Sequence, residues 1–526
     1  MLASIKHHLM PLFCFLIIFS LLPSYSFGAN FPLEIINIKP SGTGTPAIPS
    51  THRIFRAYPG IEYNIRAAVI GGAYPYTYSL MNAPSGMIIN PTTGEISWPN
   101  PQSNSGTITL TVADSEGSQV STSWDITVTT SGFWFVSSAY VGTSNGSITQ
   151  PFKTIKELLA ATTSETDIAY FRKGSYQITE SPGVNITLST EGAPHNWIGY
   201  PGETANISGN SGAIYANWVY FDGLNFSNFV NYGLWLRSNY NYMTVRRTIW
   251  DGLTTSDNVN NNYGFSFTYN EGPGYYLTFQ DNEFRNFQGS AIGSLYNTKK
   301  VLIEDNYIHS PWKQVSGQSS IRNGIGSKYY TDRLTIRKNR VIMDFGSPWA
   351  AANNSSMVDS YDIEAYHNLF VQKDTSLSAF AHQFNSDGYS ESRRTHTVHY
   401  YRNTAVGRIR FANWDYETQG CNWTGPYYMS NNIIINPNTD ITGSHRTYNY
   451  LTFNWDQTNP AIRGCINDRN NLFAPSESGV LDENYNLTPK YQSYFGTHGY
   501  QIMPTGSNDQ QITLAAPTGL KLLSQH

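Results

Sequence analysis

Basic side chains are concentrated in one stretch of a chain that is otherwise poor in charge. Charged residues make up 13% of the sequence, yet one short stretch contains Arg393, Arg394, His396, His399, Arg402, Arg408 and Arg410. Arg can neutralise a carboxylate, and a His of near-neutral pKa can remove a proton at pH 7. Such a group favours β-elimination from a uronate-containing polymer. Neighbouring Asp and Glu residues could equally neutralise these cations as structural pairs.

From these residue types we predict a catalytic group made of Arg410, His399 and His382. His382 lies on a long connection that leads into the basic stretch, so it could fold over the other two. Further side chains would line the approach, and one aromatic ring would stack on a sugar at the far end: Arg393, Arg394, Arg408, Tyr389 and Trp235.

A repeated eight-residue template supplies the elements that must position these groups. It consists of apolar, any, apolar, any, any, Asn, any and apolar residues, as in residues 277–284. Its Asn positions lie 24, 33, 29, 35, 29 and 39 residues apart: Asn282, Asn306, Asn339, Asn368, Asn403, Asn432 and Asn471. Apolar residues two apart form one face of a strand, and Asn tolerates the left-handed conformation of a corner. The template therefore predicts strand–Asn–strand coils stacked at about 4.8 Å, with the Asn side chains in a ladder.

Residues 135–138, 142–146 and 151–155 resemble the entry into the first coil of secreted right-handed parallel β-helix proteins, the pectate-lyase-like superfamily. The resemblance implies an all-β chain with a right-handed parallel β-helix over residues 132–500 and a short helix at its open end. It implies little about activity, since one fold hosts many functions. The Asn, Lys and Arg constellation of the alginate and chondroitin β-helix lyases has no convincing match here, and neither does the acidic triad of polygalacturonases.

Residues 29–131 differ from the repeats, because short alternating runs are separated by turn signals, as in a β-sandwich. Residues 74–80, 84–86 and 91–98 are similar to the immunoglobulin-like (Ig-like) domains of bacterial surface and secreted proteins. Such a domain most often spaces or presents its neighbour, and carbohydrate binding is the less common role. Since the β-helix entry follows Gly132 intact, we expect the solenoid to fold without this domain.

The two ends of the chain predict export and a terminal cover. Lys6 and two His residues precede an apolar run over residues 12–22, and small residues at 26 and 28 suit cleavage of a signal peptide over residues 1–28. The apolar run is short for a membrane span, so we expect a secreted or cell-surface bacterial protein. Residues 501–526 lack the template and are expected to form a C-terminal cover or tail. Cys421 and Cys465 would remain as one disulfide or as two separate buried thiols.

Carboxylates stack next to the Asn corner of two neighbouring coils. The template brings Asp281, Glu304 and Asp305 close together, between basic residues of the adjacent coils. They predict either a ladder of ion pairs or the beginning of a calcium site, since calcium takes six to eight oxygen ligands. Calcium is the one cofactor that the sequence suggests.

Charge also limits the choice of partner. A formal net charge of −4 argues against a nucleic-acid-binding protein, whereas one basic patch on an acidic chain suits an anionic polysaccharide. The first alternative is a glycoside hydrolase on the same fold. Asp362/Glu364 and Asp415/Glu417 are carboxylate pairs whose spacing puts both members on one strand face. The second alternative is a non-catalytic adhesin or matrix protein.

Overall fold

The computed structural model describes the chain from residue 30 to residue 500 with gaps. The described residues are 30–161, 167–188, 195–236, 239–254, 263–267, 273–311, 323–327, 331–344, 346–353, 362–373, 378–384, 397–413, 427–435, 466–474, 479–494 and 496–500. They form two parts, an N-terminal sandwich of antiparallel strands and a long solenoid of parallel strands. None of the described helices is long and apolar enough to cross a membrane.

The N-terminal part, called the module below, is built from short strands with alternating burial. Its two three-stranded antiparallel sheets are Tyr63–Arg66, Glu95–Trp98 and Ile88–Ile89, and Thr77–Met81, Thr107–Ala113 and Gln119–Asp125. Glu34–Ile35 pairs with Val69–Ile70, Thr127–Val128 pairs with Arg56–Ala57, and Arg53–Phe55 is a short 3₁₀ helix. Ile65, Leu110 and Trp124 lie in the apolar core between the sheets.

The solenoid consists of three parallel sheets, and each strand pairs with its equivalent in the next coil. Sheet I contains Phe133–Val136, Ile168–Phe171, His195–Gly199, Val219–Asp222, Thr244–Arg246, Gly274–Gln280, Thr298–Glu304, Asp332–Arg337, Asp362–Tyr366, Thr397–Tyr401, Tyr427–Ser430 and Ile466–Arg469. Sheet II contains Gly174–Gln177, Ala205–Ser208, Asn225–Val230, Ile249–Thr254, Glu283–Arg285, Tyr307–Ser310, Arg340–Met343, Leu369–Gln372, Thr404–Val406, Ile433–Ile435 and Leu472–Ala474. Sheet III contains Ile186–Thr187, Ile214–Ala216, Tyr232–Leu236, Tyr263–Phe267, Ser290–Leu295, Asn323–Ser327, Ser347–Asn353, Ser378–Phe384 and Arg408–Asn413.

This strand order confirms the predicted parallel β-helix. The apolar template positions face a single continuous core, in which, for example, Phe226 stacks on Trp250 with ring centroids 4.2 Å apart. The helix Ile155–Ala161 buries Ile155 and Leu158 in the same core, next to the first strand of sheet I. A 3₁₀ segment, Pro489–Tyr494, follows the last described coil.

The Asn ladder runs along the corner between sheets I and II. The Oδ1 atom of Asn339 accepts hydrogen bonds from both the backbone N–H and the Nδ2 atom of Asn306, at 3.0 and 2.9 Å. The Nδ2 atom of Asn339 donates in turn to the Oδ1 atom of Asn368 at 2.9 Å and to the Ile303 carbonyl of the preceding coil at 2.8 Å. The same pattern continues to Asn471, so the predicted ladder is confirmed.

The left-handed residue of each corner is not the Asn, and the prediction was wrong by one position. Positive φ angles of 50–58° occur at the residue before each ladder position: Arg247, Asp281, Asp305, Lys338, His367, Arg402, Asn431 and Asn470. The physical reason is that the Asn side chain must be buried to bond to both neighbouring coils. The turn therefore falls on the preceding residue, and charged side chains occupy most of these positions.

The module lies along sheet I, from its first strand to its tenth. At one end, the ring of Tyr58 contacts Phe133 edge-on at 5.4 Å, and at the other Phe31 contacts the ring of His399 at 5.4 Å. Between these ends, Tyr276 and Leu302 of sheet I are buried in the same apolar cluster as the module core. That the solenoid folds alone stays a prediction, and without the module the buried side chains of Tyr276 and Leu302 would become exposed.

The ladder leads to a first prediction. Asn339→Ala should lower the free energy of unfolding by about 2 kcal/mol or more, because two buried donors of Asn306 lose their acceptor. The measurement is chemical denaturation of the whole chain. Asn471→Ala is the matched control, since the last rung is only half-buried and should cost less. Equal effects of the two substitutions would contradict a cooperative ladder.

Candidate functional site

Sheet III is the face of the solenoid that long connections border on both sides. The corner between sheets I and II is only a few residues long, whereas residues 255–262 and 312–322 lead into sheet III, and residues 354–361, 385–396 and 414–426 lead away from it. The module covers sheet I, and residues 479–500 pack against the last coils of sheet II. Function is commonly carried by loops on a rigid scaffold, so sheet III is the candidate functional face.

One row of sheet III changes character along the solenoid. In the early coils, the residues paired in register are Thr187, Tyr215, Trp235 and Ser266. The register then shifts between Ile292 and Ser294. In the later coils, the paired residues are Gly326, Ala350, Ala381 and Arg410. The adjacent row, which includes Leu234, Phe265 and Ile325, is fully buried in the core. The outer row therefore runs from aromatic residues through small residues to an arginine.

The aromatic end of this row is a compact cluster. Trp235 lies against Tyr232 and Tyr215, with ring centroids 4.5 and 5.2 Å apart. The Tyr215 hydroxyl accepts a hydrogen bond from the Asn185 side chain at 3.1 Å. All three rings are partly exposed. Half-exposed aromatic rings beside an amide are suited to stacking on the apolar face of a sugar.

At the basic end of the row, the backbone register shows which residues are neighbours. Arg410 pairs with Ala381, and Arg408 pairs with Ser378. His382 pairs with Phe411 and Ala351, so it lies in the strand next to Arg410 but in the alternate row, the row of the buried residues Leu295 and Ser327. The structure thus brings Arg408, Arg410 and His382 to the same two strands of sheet III. Three other predicted substrate-binding residues lie outside the described residues: Tyr389, Arg393 and Arg394.

His399 is not brought together with Arg410. It lies in sheet I, in register with Glu364, and its ring stacks on Tyr428 at 4.6 Å while Phe31 of the module covers it edge-on. Burial lowers its pKa to about 4, so the imidazole is neutral at pH 7. The sequence did not show that His399 and Arg410 lie in different sheets, because each of them follows a residue that is expected to face the core.

The carboxylates proposed as calcium ligands are occupied by cations instead. Arg66, from the module, contacts Asp281 and Asp305 at 2.6 Å and Glu304 at 3.4 Å. Arg337 bonds to the other oxygen of Glu304 at 2.6 Å. Burial opposes the ionisation of Glu304, but Arg337 and Arg66 outweigh it and hold its pKa well below the usual range.

This donor set does not fit calcium, because the cationic side chains of Arg66, Arg337 and Lys338 already contact the three carboxylates. Of the two predictions made for these residues, the ion pairs are present, although the central cation comes from the module and the network is buried rather than exposed. Within the described part of the chain, no three His, Cys, Asp or Glu side chains are arranged to hold a metal ion. Cys421 and Cys465 lie outside the described residues.

One titratable site was not recognised from the sequence, and another was considered only as half of a carboxylate pair. On the outer face of sheet II, His309 Nε2 lies 2.9 Å from Glu283 Oε1, and Tyr307 stacks on the imidazole at 4.2 Å. The sequence contained a signal for this pair, because Glu283 follows the ladder residue Asn282 by one position and His309 follows Asn306 of the next coil by three. The second site is Glu364, one member of the hydrolase pair considered above, which is 1% exposed beneath the first described residues of the module.

Comparison with known proteins supports the Ig-like assignment. Residues 45–129 match the family model described as "Putative Ig domain", so this part of the chain carries the predicted Ig-like domain. No curated protein matches the sequence.

Several solved structures resemble the chain at low identity. Pectate lyase Pel9A shares 13% identity over 60% of this chain and 78% of its own, with a TM-score of 0.32. The Family 28 exopolygalacturonase of Yersinia enterocolitica shares 11% identity over 87% of this chain and 97% of its own, with a TM-score of 0.34. A putative alpha-galactosidase from Bacteroides fragilis shares 15% identity, with a TM-score of 0.15, and the chain spans only 28% of its length. These scores are low, so the β-helix assignment rests on the strand pairing itself.

The buried ion network leads to a second prediction. Arg66→Ala should lower the free energy of unfolding by about 3–5 kcal/mol, because it leaves carboxylates without their shared cation. Lys156→Ala is the matched control: its 3.1 Å ion pair with Glu180 joins side chains 70% and 69% exposed, and should contribute less than about 1 kcal/mol. Thermal and urea unfolding would measure both. If Arg66→Ala lowers the free energy of unfolding by no more than the control substitution does, the network is solvated.

Proposed function

We propose that this protein is a secreted carbohydrate-active β-helix protein that cleaves an anionic, uronate-containing polysaccharide by β-elimination. The observation that carries the proposal is the outer row of sheet III. It has partly exposed aromatic rings at one end, small residues in the middle and Arg410 at the other end. A shallow track of this kind along a solenoid suits an extended polymer.

Arg410 is the residue on which the proposed reaction is centred. The Arg410 guanidinium would bind the uronate carboxylate and stabilise the charge that develops when C5 loses its proton. The base would come from the basic stretch around Arg410 rather than from His382, because the strand register puts His382 in the row of the buried residues Leu295 and Ser327. The electrons of the C5–H bond form a C4=C5 double bond, and the C4–O bond breaks. The leaving oxygen takes a proton from Tyr389 or from water. His399 is left out of this set because it lies in sheet I beneath the module.

The other side chains extend the same track. Arg393, Arg394 and Arg408 would hold further carboxylates, and Trp235 would bind a sugar remote from the bond that breaks. This distribution suits a chain of net charge −4, which repels a polyanion except at a local basic patch.

A glycoside hydrolase is the second candidate. Of the two carboxylate pairs, Asp362/Glu364 lies in sheet I, where Glu364 is buried against Asn30. Asp415/Glu417 lies outside the described residues and follows the Arg408–Asn413 strand of sheet III in the sequence. The second pair is therefore the one to test by substitution if reducing ends appear without unsaturated products.

The third prediction concerns Arg410. Arg410→Ala should reduce β-elimination of a uronate polymer by at least about 100-fold, because the developing charge loses its main stabilising group. The measurement is the ultraviolet absorbance of new unsaturated ends. Arg285→Ala, on the outer face of sheet II, is the control and should retain activity. Both variants should melt near the wild-type temperature. Full activity of Arg410→Ala would exclude this site, and wild-type inactivity on every uronate polymer would favour the adhesin alternative.

The fourth prediction concerns Trp235. Trp235→Ala should raise KM for long chains by about tenfold, because one stacking contact with a sugar is lost. It should leave kcat nearly unchanged, because that contact is remote from the bond that breaks. A short oligosaccharide that does not reach the aromatic cluster should be cleaved equally by both proteins. Trp235→Phe is the matched control and should recover most of the affinity. A fall in kcat with unchanged KM would mean that Trp235 supports the fold rather than the sugar.

A further inference from the structure

Arg340 lies on the outer face of sheet II and carries a charge that the described chain does not pair. Its Nε atom is buried and has no hydrogen-bond partner among the described residues, and no described carboxylate forms an ion pair with its guanidinium. Two other cations of this face are paired, Arg285 with Asp251 at 2.9 Å and Lys373 with Asp344 at 2.8 Å. A shielded donor without an acceptor is costly, so this arrangement indicates an anionic ligand.

Three side chains from the two preceding strands of sheet II lie beside Arg340. Its guanidinium is over the ring of Tyr307 at 5.6 Å, and Tyr307 stacks on the imidazole of His309 at 4.2 Å. The Nε2 atom of His309 lies 2.9 Å from Glu283 Oε1. Glu283, Tyr307 and Arg340 follow one another in a single row of the sheet, so their Cα atoms span roughly 10 Å, two strand spacings. These four side chains are called the sheet II cluster below.

The sheet II cluster presents atoms that can bond to the hydroxyl groups of a sugar. The side chains of His309 and Glu283 are 28% and 24% exposed. Burial opposes the ionisation of Glu283, but His309 and Arg285 hold its pKa below the usual range, so it is an acceptor at pH 7. Since His309 meets this carboxylate through Nε2, its Nδ1 atom and the Tyr307 hydroxyl remain without a partner in the described part of the chain.

The cluster lies where sheet II ceases to be covered. Residues 479–500 pack on the later strands of the sheet and reach the Arg340–Met343 strand through Ile342. In the strands Glu283–Arg285 and Tyr307–Ser310, no described residue belongs to that apolar contact. One cation beside several neutral or accepting groups suits a polyol with a single acid group, since a phosphate polymer is held by many cations.

We propose that the sheet II cluster is a second uronate-binding site, separate from the outer row of sheet III. The Arg340 guanidinium binds the carboxylate of one uronate residue through two parallel hydrogen bonds. Tyr307, His309 and Glu283 bond to the hydroxyl groups of the same sugar. The choice of a uronate rests on the proposed function, whereas the site itself rests on the unpaired guanidinium and its neighbours. Binding here makes and breaks no covalent bond.

The experiment follows the reaction of Arg340 with phenylglyoxal, read from peptide masses of the whole, unsubstituted chain. The probes are methyl glycosides of galacturonic, glucuronic and mannuronic acid, which have no glycosidic bond at C4 and so are not substrates for the elimination. One of them should slow the modification of Arg340 about fivefold at several times its Kd, and its methyl ester should not. Arg285, whose charge Asp251 already pairs, is the internal control and should react at an unchanged rate.

Substitutions test the same site through affinity for a uronate polymer. They are made in the Arg410→Ala chain, which lacks the main contact of the sheet III site. There, Arg340→Ala should raise the Kd about tenfold, because a charge-assisted pair of hydrogen bonds is lost. Arg340→Lys should recover part of the affinity, since an ammonium keeps the charge but not the paired geometry. Arg285→Ala is the matched control and should leave the Kd nearly unchanged.

Three results would overturn the proposal. The first is that none of the three uronates protects Arg340, a measurement that remains decisive if Arg340→Ala fails to fold. The second is equal protection by the methyl esters or by galactose 6-sulfate, which would mean a site for neutral or sulfated sugars. The third is an unchanged Kd in folded Arg340→Ala. None of these bears on cleavage at Arg410, whereas a protected Arg340 in a protein that cleaves no uronate polymer would refute the proposed function alone.

Discussion

The arrangement of this molecule depends on the hydrogen-bonded Asn ladder at the corner between sheets I and II. Each ladder side chain must be buried to reach the coils above and below it, as Asn339 does between Asn306 and Asn368. That requirement fixes where each coil turns, because the preceding residue takes the left-handed conformation. Since every coil turns at the same position, the strands of sheets I and II remain in register despite connections of very different length elsewhere.

The same constraint determines where the module can bind. The residue before each Asn is turned away from the core, and in neighbouring coils this position holds Asp281, Asp305 and Lys338. Arg66 enters among these side chains and is itself only 5% exposed. A buried network of this kind contributes modestly to net stability but penalises any other placement of its members, so it specifies how the two parts meet. With sheet I closed in this way, the outer row of sheet III is the surface that we propose binds a long substrate.

The sequence predicts the parallel solenoid, the ladder and the Ig-like fold because each follows from local periodicity. A two-residue alternation and a recurring Asn need no knowledge of distant contacts. The site is predicted less completely. Arg410 is in register with Ala381 of sheet III, whereas His399 follows its inward neighbour in the same way and belongs to sheet I. The template predicts which side chains face the core and which face outward. It does not predict which outer face of the solenoid the module covers. The contact between Arg66 and Asp281 could not be predicted either, because it joins residues 215 positions apart that share no repeat.

The covered face also explains why carboxylates have such different properties within one sheet. Glu304 and Glu364 are both buried beneath the module, at 3% and 1% exposure. Glu304 has two guanidinium groups in contact, and its pKa falls. Glu364 has only an amide donor, and burial raises its pKa to about 7. The module therefore compensates the charge it buries at its middle but not at its first described residue, where the Asn30 amide contacts Glu364.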